Sequence, residues 1–430
     1  MKKLSLIELN EINFDLVQKY IDQDPNVFSG FNRLFELMAF KTFGESEYDH
    51  IEPWVHWVSV HTGKGFEEHQ VFRLGDIVEF SGEQIFEKLE NLGLKVGCVS
   101  PMNAENRLKR PAFFIPDPWT NTSSDGSTMS RGIHQALRQA VNDNAEGKIQ
   151  PITLMYLLGA FLYFSKLRNW PTYIKLFFNR RKRWNKALFL DLFLSDVFIK
   201  FTRKRNSDFS TLFLNGFAHV QHHYFLASTH YNGSLSNPSE YVEKEDDPIL
   251  DAIRVYDRII GQILADVDGH KIIATALRQI AVDEQQIYYR LRSHDEFLKN
   301  IGLKNFKVEP RMTRDFKLTF SDLKSEKHGV ALLRSIEHSG IRLFNDVDVR
   351  DGSVFVTLTY NNQLSKKDIL KVNNQLISLQ ASFVFVAVKN GHHDTNGYGF
   401  MDFESKSLEC GGARQHVKFI GKAVIDYFVT

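Results

Sequence analysis

The segment Leu4-Ser5-Leu6-Ile7-Glu8-Leu9-Asn10-Glu11 is a short, largely apolar run that ends in two polar residues. It reads as a buried strand of a parallel sheet. In open α/β sheets the carboxyl ends of such strands deliver side chains to a ligand site, so Asn10 and Glu11 fall where a site is expected. Phe14 to Tyr20 follows with helical spacing.

The same alternation continues outward. Ile85 to Leu92 reads as a helix stopped by Gly93, and Lys95 to Val99 as the next strand. Thr211 to Asn215 is an apolar strand running into a His-rich segment. Pro248 to Asp266 is amphipathic, with Ile249, Ile253, Tyr256, Ile260 and Leu264 in register. Lys271 to Ala276 and Phe383 to Val388 read as strands. Alternation of this kind predicts an α/β fold with a doubly wound, mainly parallel sheet. The strands ending at Asn10, Asn215, Ala276 and Val388 are expected to be neighbours in it.

Two stretches break the alternation. Residues 151–206 are helical, aromatic and strongly basic, and Phe306 to Gln375 mixes β character (Phe316 to Phe320, Val354 to Thr359) with helix. The expected organisation is a core of 1–150, a basic aromatic helical insertion at 151–206, core again at 207–300, a smaller α+β cap insertion at 301–380, and a final core part at 381–430. Ser228 to Asp247 is a polar loop.

At 430 residues the chain exceeds the size at which one core stops growing. With 43% hydrophobic and 24% charged residues it is ordinary globular material, and a net charge of +1 names no partner. Cys98 and Cys410 make neither a disulfide framework nor a Cys-rich zinc site. Met1-Lys2-Lys3 has the basic start of a signal peptide, but Glu8, Asn10 and Glu11 interrupt the apolar core one needs. No run of about 18 apolar residues occurs, and Ile152 to Phe164 is too short to span a bilayer. A cytoplasmic protein is expected, with a peripheral place at the inner membrane face if the basic insertion touches lipid.

Pro53-Trp54-Val55-His56-Trp57-Val58-Ser59-Val60-His61-Thr62-Gly63 is the sharpest local signal. It resembles the nucleophile segment of the phosphodiesterase and nucleotide pyrophosphatase branch of the alkaline phosphatase superfamily. There a Pro precedes a Thr or Ser nucleophile, then Trp-Pro-Ser, then Thr-Gly. Glu68-His69 follows where the family often has Glu-His-Gly. Asn215-Gly216-Phe217-Ala218-His219-Val220-Gln221-His222 resembles a segment holding an Asp and, four residues on, a His. Ile272 to Gln279 sits where the family has a strand leading to Ser-Asp-His-Gly. Gly391-His392-His393-Asp394-Thr395-Asn396-Gly397 resembles the closing Gly-x-His-x-x-x-Gly. The resemblance implies an alkaline phosphatase-like fold and activity on phosphate or sulfate esters.

The departures are as informative. The first family Asp falls on Asn10, the nucleophile on His56, the second Asp on Ala218, the third on Leu277 and its adjoining His on Arg278; His222 and His393 keep their type. The two-metal clamp of the superfamily needs several carboxylates, so it cannot form here in the usual way. Glu8 or Glu11 supplies one carboxylate, which with His222 and His393 serves one divalent metal at most. No other cofactor is implied.

Neutral imidazole can attack phosphorus or act as a general base, so His56 is read either way, against a pocket-lining His in a site that has lost its chemistry. Arg278 offers a fixed cation to phosphate or sulfate oxygens, or else sits in a surface salt bridge. His222 and His393 complete the catalytic candidates, with Asn10 and Glu11 as the floor. His219 shares a helical face with His222 or His223, in a metal site or an imidazole cluster around an anion. Asp394 is expected to orient an imidazole, as the third member of a triad does, or to sit in a polar turn. Asn103 and Arg107 follow a strand, so they either bind substrate or belong to a plain connecting loop.

Between Lys166 and Arg205 the basic residues include Lys175, Arg180, Arg181, Arg183 and Lys186, opposed only by Asp191 and Asp196 and interleaved with aromatics such as Tyr173, Phe177 and Phe178. This suits an anionic membrane surface or a lipid-linked glycan, or else a cap whose aromatics are core and whose charges are solvated. No nucleic acid is expected, since no recognised module accompanies the patch. The leading expectation is a phosphoryl or sulfuryl ester hydrolase or transferase. Its substrate would be a sugar, nucleotide-sugar or lipid-linked ester, by analogy in surface polysaccharide biosynthesis. The alternative is a catalytically inactive binding or scaffold protein of the same fold.

Overall fold

Leu4–Leu9 forms a strand, β1, with all six residues buried. The computed structural model describes residues 2–47, 50–142, 151–179, 181–239, 241–311, 314–350, 352–373 and 375–430, with backbone alone for 140–142, 151–157 and 285. Along the chain β1 is followed by Met38–Phe43 (β2), Val96–Val99 (β3), Phe113–Ile115 (β4), Phe209–Leu214 (β5) and His270–Ala274 (β6). With Asn396–Met401 and Gln415–His416 these build an eight-stranded sheet. Its order is Gln415–His416, β2, Asn396–Met401, β6, β1, β5, β3, β4. The run from β6 to β4 is parallel, and Asn396–Met401 is antiparallel to both β6 and β2. This is the doubly wound, mainly parallel sheet that the sequence pattern predicts.

Side chains alternate along a strand, so β1 divides its residues between two helical layers. Leu4 and Leu6 join Trp57, Phe86 and Val424, from helices Pro53–Thr62, Ile85–Asn91 and Lys418–Val429. Ile7 and Leu9 join Val17, Phe198, Val220 and Ile260, from helices Phe14–Gln23, Asn185–Arg205, Gly216–Tyr224 and Pro248–Asp266. Local signals set the helix ends. The Asn13 and Asp247 side chains accept from Leu16 N and Leu250 N and cap two of these helices. The Pro53 to Gly63 motif is one helix, with Pro in its first turn and Gly63 closing it in the left-handed region at φ 69°.

One strand expectation is corrected. Phe383 to Val388 lies in strand Phe383–Asp394, which pairs with Arg278–Leu291 in a two-stranded ribbon; Asn396–Met401 holds the place beside β6. An apolar run signals a strand but not its partner, and Phe385 of this run is exposed.

The basic stretch is helical at Pro151–Phe164, Trp170–Phe178 and Asn185–Arg205. The chain forms two units, Met1–Ala281 with Gly391–Thr430, and Val282–Asn390. The second unit holds an antiparallel sheet of Asp346–Arg350, Ser353–Thr357, Asp315–Phe320 and Phe306–Pro310, over a core that includes Leu298, Phe316, Leu333 and Val354. Among the described residues no helix is long and apolar enough to cross a membrane.

Candidate functional site

The candidate site lies in the first unit, at the carboxyl ends of β1, β5 and β6. Just past β1, Asn10 is buried and donates from Nδ2 to Glu11 Oε1 and to Asn215 Oδ1, both at 2.7 Å. Its Oδ1 accepts from Trp57 Nε1 at 3.0 Å. Glu11 follows with φ 58°, a left-handed conformation rare for a residue with a side chain. Strain of this kind persists only where the surroundings hold it. Here the Glu11 carbonyl accepts from Gln221 Nε2 at 2.7 Å and from Gln279 N at 3.1 Å.

The buried Glu11 carboxylate meets two imidazoles. Its Oε2 is 2.9 Å from His222 Nε2 and 3.2 Å from His393 Nε2, and the two nitrogens are 3.3 Å apart. His222 comes from the helix after β5, and His393 from the end of the ribbon strand. His393 Nδ1 donates to the Ile51 carbonyl at 2.9 Å, and Glu52 Oε2 lies 3.2 Å from the same nitrogen. Burial opposes the charge on Glu11, but His393 and His222 outweigh it and hold the carboxyl well below its usual range. Burial opposes a charged His393 as well, yet Glu11 and Glu52 raise it well above the usual imidazole value.

These donors fit a single divalent cation. Glu11, His222 and His393 each offer one ligand atom, and the three lie within 4.8 Å of one another. Ligands about 2.0–2.1 Å from one tetrahedral ion stand roughly 3.3 Å apart, close to the spacings found. A His–His–carboxylate set is the catalytic type, which leaves a position for water or substrate. The outer contacts fit too. His393 uses its other ring nitrogen on a carbonyl, and Glu11 is oriented by Asn10 and by Gln279 Nε2.

Other candidates from the sequence land elsewhere. His56 is fully buried. Its Nδ1 donates to the Ala276 carbonyl at 3.2 Å, and its Nε2 accepts from Glu45 N at 3.1 Å. Burial pushes its pKa down to about 4, although the Ala276 contact works the other way. Both ring nitrogens are engaged with the backbone. The ring lies against Gly44, where a Cβ would come within 2.1 Å of it.

Arg278 does not reach Glu11. It binds Asp394 Oδ2 at 3.2 and 3.1 Å, the Tyr398 hydroxyl at 2.6 Å, and Asp15. Asp394 thus engages Arg278 and Asn396. Asn103 is buried and ties Asp117, Gly75, Trp54 and Arg73 together. Arg107 binds Glu105 and the carbonyls of Gly82, Ile77 and Phe80. Both brace loops. His219 is exposed on its helix, with its ring 4.5 Å from that of His223. Ala218 and Leu277, at the replaced Asp positions, are buried apolar side chains.

Gln279, Gln221 and Glu52 were not foreseen. Alternation at the start of the ribbon strand sends Gln279, not Arg278, to Glu11. Its Nε2 also donates to the Ala218 carbonyl at 3.1 Å. A Cβ on residue 391 would come within 2.2 Å of its Oε1 and 3.1 Å of the Gln221 carbonyl oxygen, so glycine at 391 lets these segments pack closely. The glycine that opens the closing motif was the available signal.

No family model matches the sequence, and no curated protein matches it. Several solved structures are similar. A phosphonoacetate hydrolase from Sinorhizobium meliloti 1021 in complex with phosphonoacetate is 12% identical, over 99% of this chain and 96% of that one, at a TM-score of 0.46. Murine ectonucleotide pyrophosphatase/phosphodiesterase 5 is 8% identical, over 99% and 94%, at 0.44. A mutant of TAB5 alkaline phosphatase with Mg bound is 10% identical, over 99% and 97%, at 0.43. All three belong to the alkaline phosphatase superfamily, which the motif order resembles. Similarity at this level bears on neither substrate nor activity.

Proposed function

We propose that the chain hydrolyses phosphate or sulfate esters at a single-metal site formed by Glu11, His222 and His393. The observation that carries this reading is the convergence of one carboxylate and two imidazole nitrogens at the carboxyl edge of the sheet. A divalent cation held by these three residues would supply Lewis-acid charge and lower the pKa of a water. The chain's own residues then have distinct tasks. Asn10 and Gln279 hold the Glu11 carboxylate in place, and the Ile51 carbonyl fixes the His393 tautomer so that Nε2 faces Glu11. In this reading the attacking oxygen is that of water. A second reading, ligand binding without turnover, is favoured by the sealed His56 and by apolar Ala218 and Leu277.

The test is release of p-nitrophenol from its phosphate monoester, phosphate diester and sulfate, with protein stripped of metal and then supplied with Zn²⁺, Mn²⁺ or Mg²⁺. Turnover should appear with metal, fall to background with chelator and in His222→Ala, and persist in His56→Gln. A metal-loaded protein that binds these esters without cleaving any would replace the enzyme reading with the binding one.

A further inference from the structure

The basic aromatic stretch has an outer face the proposed site does not use. In helix Trp170–Phe178, Tyr173 and Leu176 are buried against the body. Ile174, Phe177 and Phe178, at i, i+3 and i+4 spacing, form a separate stripe that is 53%, 59% and 73% exposed. Leu167, just before this helix, is 81% exposed. Leu158 and Leu162, one turn apart in Pro151–Phe164, are exposed as well, and Phe161 of that helix packs edge-on against Tyr173. A solvated cap would keep apolar residues inside and polar ones outside. A helix apolar on both stripes belongs inside a core or against lipid.

Several exposed cations around this face lack an acidic partner among the described residues. Lys175, Arg181, Arg183 and Lys186 are exposed, and Lys175, Arg183 and Lys186 have no acidic partner among the described residues. Arg181 is only 3.5 Å-paired to Glu243. Asp266 is shared by Lys166, Arg168 and Arg203, and Asp246 and Asp251 both pair with Lys182. The two acids of the stretch do not reach the surface. Asp191 is buried against Gly216 N and Tyr256, and Asp196 against Lys166 N, Asn169 and Tyr173. Arg180 lies outside the described residues.

We propose that the helices around Leu158 to Lys186 are a docking surface for an anionic bilayer. Leu167, Phe177 and Phe178 enter the boundary between headgroups and acyl chains, and Lys175, Arg183 and Lys186 meet lipid phosphates. The attachment is monotopic, since no described helix is long and apolar enough to span. It does not depend on the reaction proposed above.

Flotation with phosphatidylcholine vesicles, with and without phosphatidylglycerol, tests it, alongside sedimentation equilibrium of the protein alone. Binding should need phosphatidylglycerol and should weaken at 1 M salt, where screening acts beyond about 3 Å. Phe177→Glu with Phe178→Glu should lower binding at least about a hundredfold, as expected for two buried aromatic side chains. Lys175→Gln with Lys186→Gln should lower it roughly thirtyfold. All four positions are exposed, so the variants should keep the wild-type circular dichroism. No binding to anionic vesicles, or equal binding by the Phe177→Glu, Phe178→Glu variant, would overturn the proposal. So would self-association that the same variant abolishes, because the face would then be covered by a second copy.

Discussion

Glu8 and Glu11 stand three residues apart on one strand and its end, and both meet histidine, yet their surroundings differ in kind. Glu8 lies within β1 and faces helix Pro53–Thr62. Its Oε1 is 3.1 Å from His61 Nε2 and also takes the Thr211 hydroxyl. Glu8, His61 and Thr211 are all sealed from water, and Glu8 Oε2 and His61 Nδ1 have no hydrogen-bond partner. Glu11 lies past the strand end, where the backbone turns left-handed. It gathers two imidazoles, one of them a third exposed, and both its oxygens have donors. A carboxylate–histidine pair is thus sealed or partly exposed according to its place along the strand.

The largest expected effect breaks the sealed pair. His61→Ala leaves Glu8 buried without its partner and should cost roughly 3–5 kcal/mol of stability in a urea titration. His222→Ala, at the open pair, should cost less, because His393, Asn10 and Gln279 still hold the Glu11 carboxylate. Equal losses would mean that the two pairs do the same work.

A smaller effect comes from His56, a third buried imidazole. Its folded pKa of about 4 lies below the ordinary 6.5. Between these values the unfolded chain binds the extra proton and the folded one does not. The stability from keeping the ring neutral is therefore complete above pH 6.5 and lost as pH falls toward 4. A depression of this size amounts to about 3 kcal/mol over that window. An NMR titration should show the ring neutral down to near pH 4. A midpoint near 6.5 would place the ring in solvent and reopen its catalytic reading.

Much of the site was legible because it rests on order and type. A strand ending in Asn10-Glu11, a segment holding His222 and a closing motif holding His393 point to one sheet edge whatever the details. The missing parts turn on finer distinctions. Arg278 and Gln279 exchange roles with a one-residue change of strand phase, which sequence pattern does not fix at the start of a ribbon. His56 has the chemistry of a catalyst, but Gly44 and two backbone groups close around it, and those contacts come from distant parts of the chain. In the basic stretch composition could not separate Tyr173, Trp184 and Phe198, which face inward, from Phe177 and Phe178, which face out.

The central claim is one divalent cation held by Glu11, His222 and His393. Elemental analysis of metal-loaded, gel-filtered protein, paired with calorimetric titration of stripped protein by Zn²⁺, tests it directly. The wild type should retain one ion per chain. His222→Ala should lose affinity by more than a hundredfold, and Gln279→Ala by about 10–100-fold as an outer support. An unchanged affinity in His222→Ala, two tightly held ions per chain, or none would contradict the account.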